Sequence, residues 1–132
     1  YLLFRGVRYR DIPEKPYDFM FIDGPSYKTK SDKMITFDLD YIHLVKNSEI
    51  PIYAIIDKRI STCYVLQKLF GLNKVKYNSI YNLGYAGPCT KYDLKDFCEP
   101  PSSSFTKSIK LFGKSKLSLQ LNSFLLSKRK IS

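Results

Sequence analysis

The stretch that decides the fold is Tyr17-Asp18-Phe19-Met20-Phe21-Ile22-Asp23-Gly24-Pro25-Ser26-Tyr27. Residues 17–22 are almost continuously apolar, a pattern typical of a strand that is buried on both faces in the centre of a parallel sheet. Gly24 and Pro25 are turn residues and predict a sharp stop after Asp23. We therefore expect a central strand with an aspartate at its carboxyl end.

A helix and a second strand are predicted to follow. Apolar residues at helical spacing indicate a helix over residues 36–46, with Thr36 as its N-cap. Residues 50–56 form another apolar run, which ends in Asp57. Two successive strands that end in aspartate are significant, because α/β folds bind ligands at the carboxyl ends of parallel strands.

The remaining elements are a second helix and a third strand. Ser61 is expected to cap a helix that Gly71 closes, and residues 75–83 to form the strand. Residues 84–88 are predicted to be a turn, and a weaker strand or short helix is expected over 90–97. This order predicts an α/β fold: part of a doubly wound, mainly parallel sheet with flanking helices and a basic tail.

The sequence around Asp23 resembles the fourth-strand motif of class I S-adenosylmethionine-dependent methyltransferases. In that family a strand like Tyr17–Ile22 ends in an acid, and a helix, a strand, a helix and a final antiparallel strand pair follow. The resemblance covers residues 15–97 and implies a Rossmann-like fold with S-adenosylmethionine as cofactor. It also implies methyl transfer to a small molecule or a glycan precursor.

The resemblance implies roles for the residues after the two strands. Asp23 is expected to lie beside the sulfonium or the acceptor and to orient or deprotonate that acceptor. Gly24 and Pro25 are expected on the cofactor side. The predicted acceptor-binding residues are Ser26, Tyr27, Lys28, Asp57, Lys58 and Arg59. Four of these residues have a plainer alternative: Asp23 as the start of a turn, Ser26 and Lys28 as a solvated loop, and Asp57 in a structural salt bridge.

The family's cofactor-binding half has no counterpart in this sequence. Gly6 is the only glycine before Asp23, so the Gly-rich loop of the family's first strand is missing, as is the acid that holds the ribose. We expect these parts upstream of Tyr1, which predicts that the chain is a fragment. Its first strand would then expose an unpaired edge and favour self-association, unless residues 1–12 or the tail cover that edge.

The net charge of +10 comes mostly from the tail. The predicted division is a lead-in over 1–16, an α/β half-domain over 17–98 and a basic tail over 99–132. Seven cations stand in a tail that has no acid after residue 100: Lys107, Lys110, Lys114, Lys116, Lys128, Arg129 and Lys130. The alternative function is therefore a non-catalytic module that binds nucleic acid or anionic membrane through this tail. Residues 117–125 fit a strand or a helix.

Histidine and cysteine are too few for a zinc cluster. His43 is the only histidine, and Cys63, Cys89 and Cys98 include no C-x-x-C pair. We expect the thiols to be small buried groups and, without a signal peptide or a transmembrane run, a cytoplasmic protein. A third possibility is a phosphate-handling enzyme that uses Asp23 with a metal, although the sequence has no phosphate-binding loop.

Overall fold

A computed structural model describes residues 4–31, 33–95 and 112–123. Its strands and first two helices are β1 (Arg5–Val7), β2 (Phe19–Ile22), β3 (Thr36–Asp38), α1 (Asp40–Lys46), β4 (Ile52–Asp57), α2 (Ile60–Phe70), β5 (Val75–Asn78) and β6 (Leu83–Cys89). A third helix, α3, spans 112–123. The fold is thus mixed α/β, as the sequence predicts.

The main sheet has four strands in the order β2-β4-β6-β5. Strands β2 and β4 are parallel, whereas β6 runs antiparallel to both of its neighbours. Strands β2, β4 and β5 therefore run in the same direction, and β6 alone runs opposite to them, so the sheet is mixed. The four-residue connection between β5 and β6 is long enough only for an antiparallel hairpin, which explains the reversed direction of β6.

Strand β6 contains the segment that the sequence predicts as a turn. Residues 84–88 lie inside it, because its glycines serve close packing and not chain reversal. A Cβ on Gly87 would come within 2.8 Å of the Ile52 carbonyl oxygen and 2.9 Å of the Tyr53 Cα atom. Gly87 also has a φ of 114°, a conformation that other residues rarely adopt. The turn of this hairpin is instead at residues 79–82.

The predicted helix over 36–46 is a strand followed by a shorter helix. Thr36 is not an N-cap: it begins β3, and its hydroxyl donates to the Ser26 carbonyl oxygen. Strand β3 is attached to the start of α2, where the Ser61 hydroxyl donates to the Thr36 carbonyl oxygen. Ser61 therefore does not cap α2, whose N-cap position is Arg59. Gly71 ends that helix as predicted.

Residues 4–16, the described part of the lead-in, belong to the fold. Strand β1 lies in this lead-in and pairs in parallel with β3, in a small second sheet. Phe4, directly before β1, and Phe37 in β3 are buried in the core. Because β1 pairs with β3, it leaves the outer edge of β2 without a strand partner in the described part of the chain.

The core lies between the main sheet and helices α1 and α2. From α1 it receives Tyr41 and Val45, and from α2 Val65, Leu66, Leu69 and Phe70. Alternate strand residues face these helices, including Ile22, Ile52, Ala54, Ile56, Val75 and Ala86. The Tyr41 hydroxyl donates a 2.8 Å hydrogen bond to the Ile52 carbonyl oxygen and so joins α1 to the start of β4.

The other face of the main sheet is open. Phe19 and Phe21 are 51% and 55% exposed, and Tyr53 and Tyr85 beside them are 51% and 43% exposed. The prediction that β2 is buried on both faces is therefore wrong. Its apolar run is present, but no described helix covers the side on which Phe19 and Phe21 lie.

Helix α3 settles the ambiguity in the tail for residues 112–123. Ser115 and Leu119 are fully buried, and Leu119 belongs to the same core as α1 and α2. Leu117 and Leu121, which fit either periodicity, are exposed. The tail therefore supplies part of the core. The buried side of the helix carries Ser115 and Leu119, whereas the leucine spacing suggests Leu117 and Leu121, two positions later.

Candidate functional site at the carboxyl edge of the sheet

Asp23 and Asp57 lie at one edge of the sheet, as predicted. Strands β2 and β4 are parallel, and Ile22 pairs with Ile56, so the aspartate after each residue lies at the same level of neighbouring strands. Asp23 is exposed and Asp57 is half-buried. No described residue donates a hydrogen bond to either carboxylate, so both remain available to a ligand at this edge.

Arg59 joins the loops that follow the two strands. Its Nε atom donates to the Pro25 carbonyl oxygen at 3.1 Å, and Nη2 donates to the Asp23 carbonyl oxygen at 3.3 Å. Two of the guanidinium N–H groups are thus used inside the protein, which gives Arg59 a positioning role beside the acceptor-binding role predicted for it. Lys58 is exposed next to it, with a φ of 55°.

The loop after β2 is attached to β3. The carbonyl oxygens of Ser26 and Tyr27 accept hydrogen bonds from the hydroxyl and the N–H of Thr36. Lys28 pairs with Ile35 in an isolated antiparallel bridge. These backbone contacts fix the path of the loop while the side chains of Ser26, Tyr27 and Lys28 remain exposed.

Tyr27 contacts the tail helix. Its ring meets that of Phe112 edge-on, with centroids 5.0 Å apart, and Lys28 Nζ lies 5.8 Å from the Tyr27 centroid. Burial raises the pKa of the Tyr27 hydroxyl. At the far end of α3, Ser123 Oγ accepts a hydrogen bond from the N–H of Ser79, which follows β5. Helix α3 therefore reaches from the loop after β2 to the end of β5 along this edge.

Tyr9 is a residue of this edge that the sequence did not indicate. Its hydroxyl lies 3.6 Å from the position of a Cβ on Gly24. Its N–H donates to both carboxylate oxygens of Asp40, at 3.1 and 3.2 Å. The lead-in thus places an exposed tyrosine beside the Gly24-Pro25 turn, and no local pattern in the sequence signals a contact between residues so far apart.

Two cavities in the described part of the chain lie away from this edge. One, of about 630 Å³, is lined by the lead-in, by the end of α1 and by residues 48–50 before β4. Exposed His43 belongs to that cavity, next to Asn47 and away from Asp23. A second, of about 380 Å³, lies over the open face of the sheet.

The thiols and the other polar groups of the described residues form no metal centre. Cys63 and Cys89 are buried free thiols, as predicted, and Cys98 lies outside the described residues. Burial raises the pKa of the Cys63 thiol to about 12 and also raises that of Cys89. Within the described ranges, no three His, Cys, Asp or Glu residues come together as metal ligands would.

The predicted basic tail is described only over α3. Lys114 and Lys116 are exposed there, and the other five tail cations lie outside the described residues. Binding of nucleic acid or anionic membrane through the tail therefore stays a prediction. In the part of the chain that the structure describes, every helix is too short or too polar to cross a bilayer.

Comparisons with known proteins identify no relative. No protein-family model, no curated protein and no solved structure matches this chain.

Proposed function

We propose that this chain is the acceptor-side half of an S-adenosylmethionine-dependent methyltransferase that acts on a small molecule or a glycan precursor. The observation that carries the proposal is the pair Asp23 and Asp57 at the ends of neighbouring parallel strands, with no described partner for the Asp23 carboxylate. Ligands of α/β folds bind at such an edge.

The chain order around this edge supports the proposal. The parallel pair β2 and β4 is followed by a helix and by an antiparallel strand pair, the order that the resemblance implies. Helices α1 and α2 pack against one face of this sheet.

The residues present fit one end of the cofactor. A carboxylate at Asp23 suits the positive sulfonium, but the sequence has no G-x-G loop through which a backbone can approach the adenosine and its ribose. When bound, S-adenosylmethionine supplies the methyl group. This chain's contribution is at the acceptor: Asp23 accepts a hydrogen bond from an acceptor hydroxyl or amine, orients it and takes up its proton.

The test uses the charge difference between two ligands. S-adenosylmethionine carries a sulfonium, whereas S-adenosylhomocysteine has a neutral thioether in its place. Attraction between the sulfonium and Asp23 is worth about 1 kcal/mol, or about fivefold in affinity, for an exposed pair. Calorimetric titration of the chain is expected to show weak binding of both ligands and tighter binding of S-adenosylmethionine.

Two variants make the titration specific. Asp23→Asn is expected to abolish the preference for S-adenosylmethionine. Asp18→Asn, at the opposite end of the same strand, is the matched control and is expected to keep it. The proposal would be refuted if the wild-type chain bound neither ligand. It would also be refuted if Asp23→Asn preferred S-adenosylmethionine as strongly as the wild type does.

A further inference from the structure

The open face of the main sheet is an ordered row of apolar side chains. We define it by Phe19, Phe21, Tyr53, Ile55 and Tyr85. The register places Phe21 beside Ile55, Ile55 beside Tyr85, and Tyr85 beside Lys76, so one cross-strand row runs over all four strands. Phe19 pairs with Tyr53 in the next row.

Such a surface is unusual for a sheet that faces water. Solvent-facing positions of a sheet are normally polar, and contiguous apolar patches on monomers are generally small or functional. Here four aromatic side chains between 43% and 55% exposed stand together. Tyr53 lies over Gly87, where a Cβ would come within 3.2 Å of the tyrosine ring, so the backbone itself makes room for this ring.

We propose that the open face is the contact surface between two copies of this chain. The five side chains that define the face are uncharged. The described residues that line the 380 Å³ cavity over it include Lys74 and Lys76 and no acid. Lys74 Nζ already donates to the Pro88 carbonyl oxygen at 2.9 Å and lies 3.9 Å from Asp93.

The charge pattern favours a second copy over a single-stranded nucleic acid. Nucleic acid binds where several cations neutralise successive phosphates and aromatic rings stack on the bases. This face has the rings, but Lys76 is the only cation of its rows, at the β5 end. A nucleic acid would therefore lack most of its phosphate contacts here, whereas apolar burial needs none.

A two-fold arrangement accommodates Lys76. If the two sheets stack face to face about an axis parallel to the strands and through the sheet centre, β5 of one copy lies over β2 of the other. Lys76 is then placed over the partner's phenylalanines and not over the partner's lysine. A lysine above an aromatic ring is attractive, so the contact is self-complementary.

The area that this contact buries indicates how strongly the two copies bind each other. With about 200 Å² for a whole aromatic side chain, the exposed parts of the four rings amount to about 400 Å² per copy. Ile55, Lys76 and the neighbouring backbone add to this, which brings the total close to the lower limit of about 1,000 to 1,200 Å² for specific interfaces. We therefore expect a reversible dimer with a dissociation constant in the micromolar range.

Sedimentation equilibrium of the full chain over a wide concentration range tests the proposal. The wild type is expected to pass from monomer to dimer as its concentration rises. Phe21→Glu and Tyr85→Glu each bring a charge into the contact and are expected to weaken dimerisation at least about a hundredfold. Ile80→Glu is the matched control, because Ile80 is 85% exposed in the β5–β6 turn. It is expected to dimerise like the wild type.

Circular dichroism confirms that each variant is folded, and both face substitutions are at exposed positions. A wild type that stays monomeric at every concentration would overturn the proposal. The proposal would also be overturned if Ile80→Glu weakened dimerisation as much as the two face substitutions do, because dimerisation would then depend on the net charge of the chain. A third contrary result is binding of a single-stranded oligonucleotide to the monomer that Phe21→Glu abolishes, because the face would then belong to nucleic acid. None of these measurements involves S-adenosylmethionine, so they stand or fall apart from the methyltransferase proposal.

Discussion

Gly84 on β6 lies so close to Cys63 on α2 that a Cβ on the glycine would overlap the sulfur atom. The Cys63 side chain is buried in the core, and burial raises the pKa of its thiol. The Cβ and Cδ1 atoms of Ile56 stand 3.2 Å from the same position. Helix α2 therefore approaches the sheet at a point where only glycine fits.

We expect Gly84→Ala to lower the free energy of unfolding by about 2 to 3 kcal/mol, because the added methyl group forces helix and sheet apart. Urea unfolding followed by circular dichroism measures the change. In the double variant with Cys63→Ala the sulfur is absent, so the combined loss is expected to be smaller than the sum of the two single losses. If the loss in the double variant equalled the sum of the two single losses, the sulfur atom would not clash with the added methyl group.

Some elements of this fold are predictable from the sequence because they are determined by residues that are close together along the chain. The apolar runs before Asp23 and Asp57 and the glycine after α2 predict two strands, a helix and the edge at which both aspartates lie. Strand β6 is not predicted, because Gly84 and Gly87 are there for contacts with α2 and β4 and otherwise resemble turn residues. Close packing between distant segments has no local signature.

The open face and the arrangement of the site were missed for a related reason. An apolar run shows that a strand avoids water but not which element covers it, so Phe19 and Phe21 are compatible with either outcome. The bonds from Arg59 to the Asp23-Gly24-Pro25 turn join residues 34 and 36 positions apart. Tyr9 approaches Gly24 from a lead-in whose pairing with β3 is equally non-local.

Asp38 makes stability depend on pH. It is 3% exposed at the end of β3. Burial, opposed by the hydrogen bond from the Tyr41 N–H and reinforced by the charge of Asp40, raises its pKa from 3.8 to about 6. A raised acid pKa means that the folded state binds the proton more tightly than the unfolded chain does. This contribution to stability is complete below about pH 4 and is lost as the pH rises through 6.

The variant Asp38→Asn isolates this effect, because asparagine keeps an oxygen for the Tyr41 N–H and does not ionise. The free energy of unfolding of the wild type relative to Asp38→Asn is expected to fall by about 2.5 kcal/mol between pH 4 and pH 7. Urea unfolding at a series of pH values measures the difference, in which groups common to both proteins cancel. A constant difference would mean that Asp38 titrates alike in the folded and unfolded chains.

Leu119 tests whether the tail helix belongs to the core. It is fully buried, whereas Leu117 on the same helix is 58% exposed. Leu119→Ala is expected to lower the free energy of unfolding by about 2 to 4 kcal/mol, as for other buried leucines. Leu117→Ala, with the same chemical change, is expected to alter it by less than about 0.5 kcal/mol. Similar losses for the two variants in urea unfolding would contradict the packing of α3.

Arg59 links the stability of the fold to the candidate site. Its two hydrogen bonds to the carbonyl oxygens of Asp23 and Pro25 hold the turn that carries the candidate catalytic carboxylate. Arg59→Ala is expected to cost about 1 kcal/mol of unfolding free energy, and Lys58→Ala, at the exposed neighbour, less than about 0.5 kcal/mol. Arg59→Lys keeps the charge but not the planar pair of donors, so it should behave like Arg59→Ala.

The same three variants distinguish positioning from charge at the site. If Arg59 acts by fixing the Asp23 turn, Arg59→Ala and Arg59→Lys both reduce the preference for S-adenosylmethionine over S-adenosylhomocysteine in calorimetry, while Lys58→Ala retains it. If Arg59→Lys kept the same preference for S-adenosylmethionine as the wild type, a positive charge near the turn would be sufficient for that preference. The directed hydrogen bonds would then contribute to the fold alone, and Asp23 would hold its position through the backbone bonds of its loop to β3.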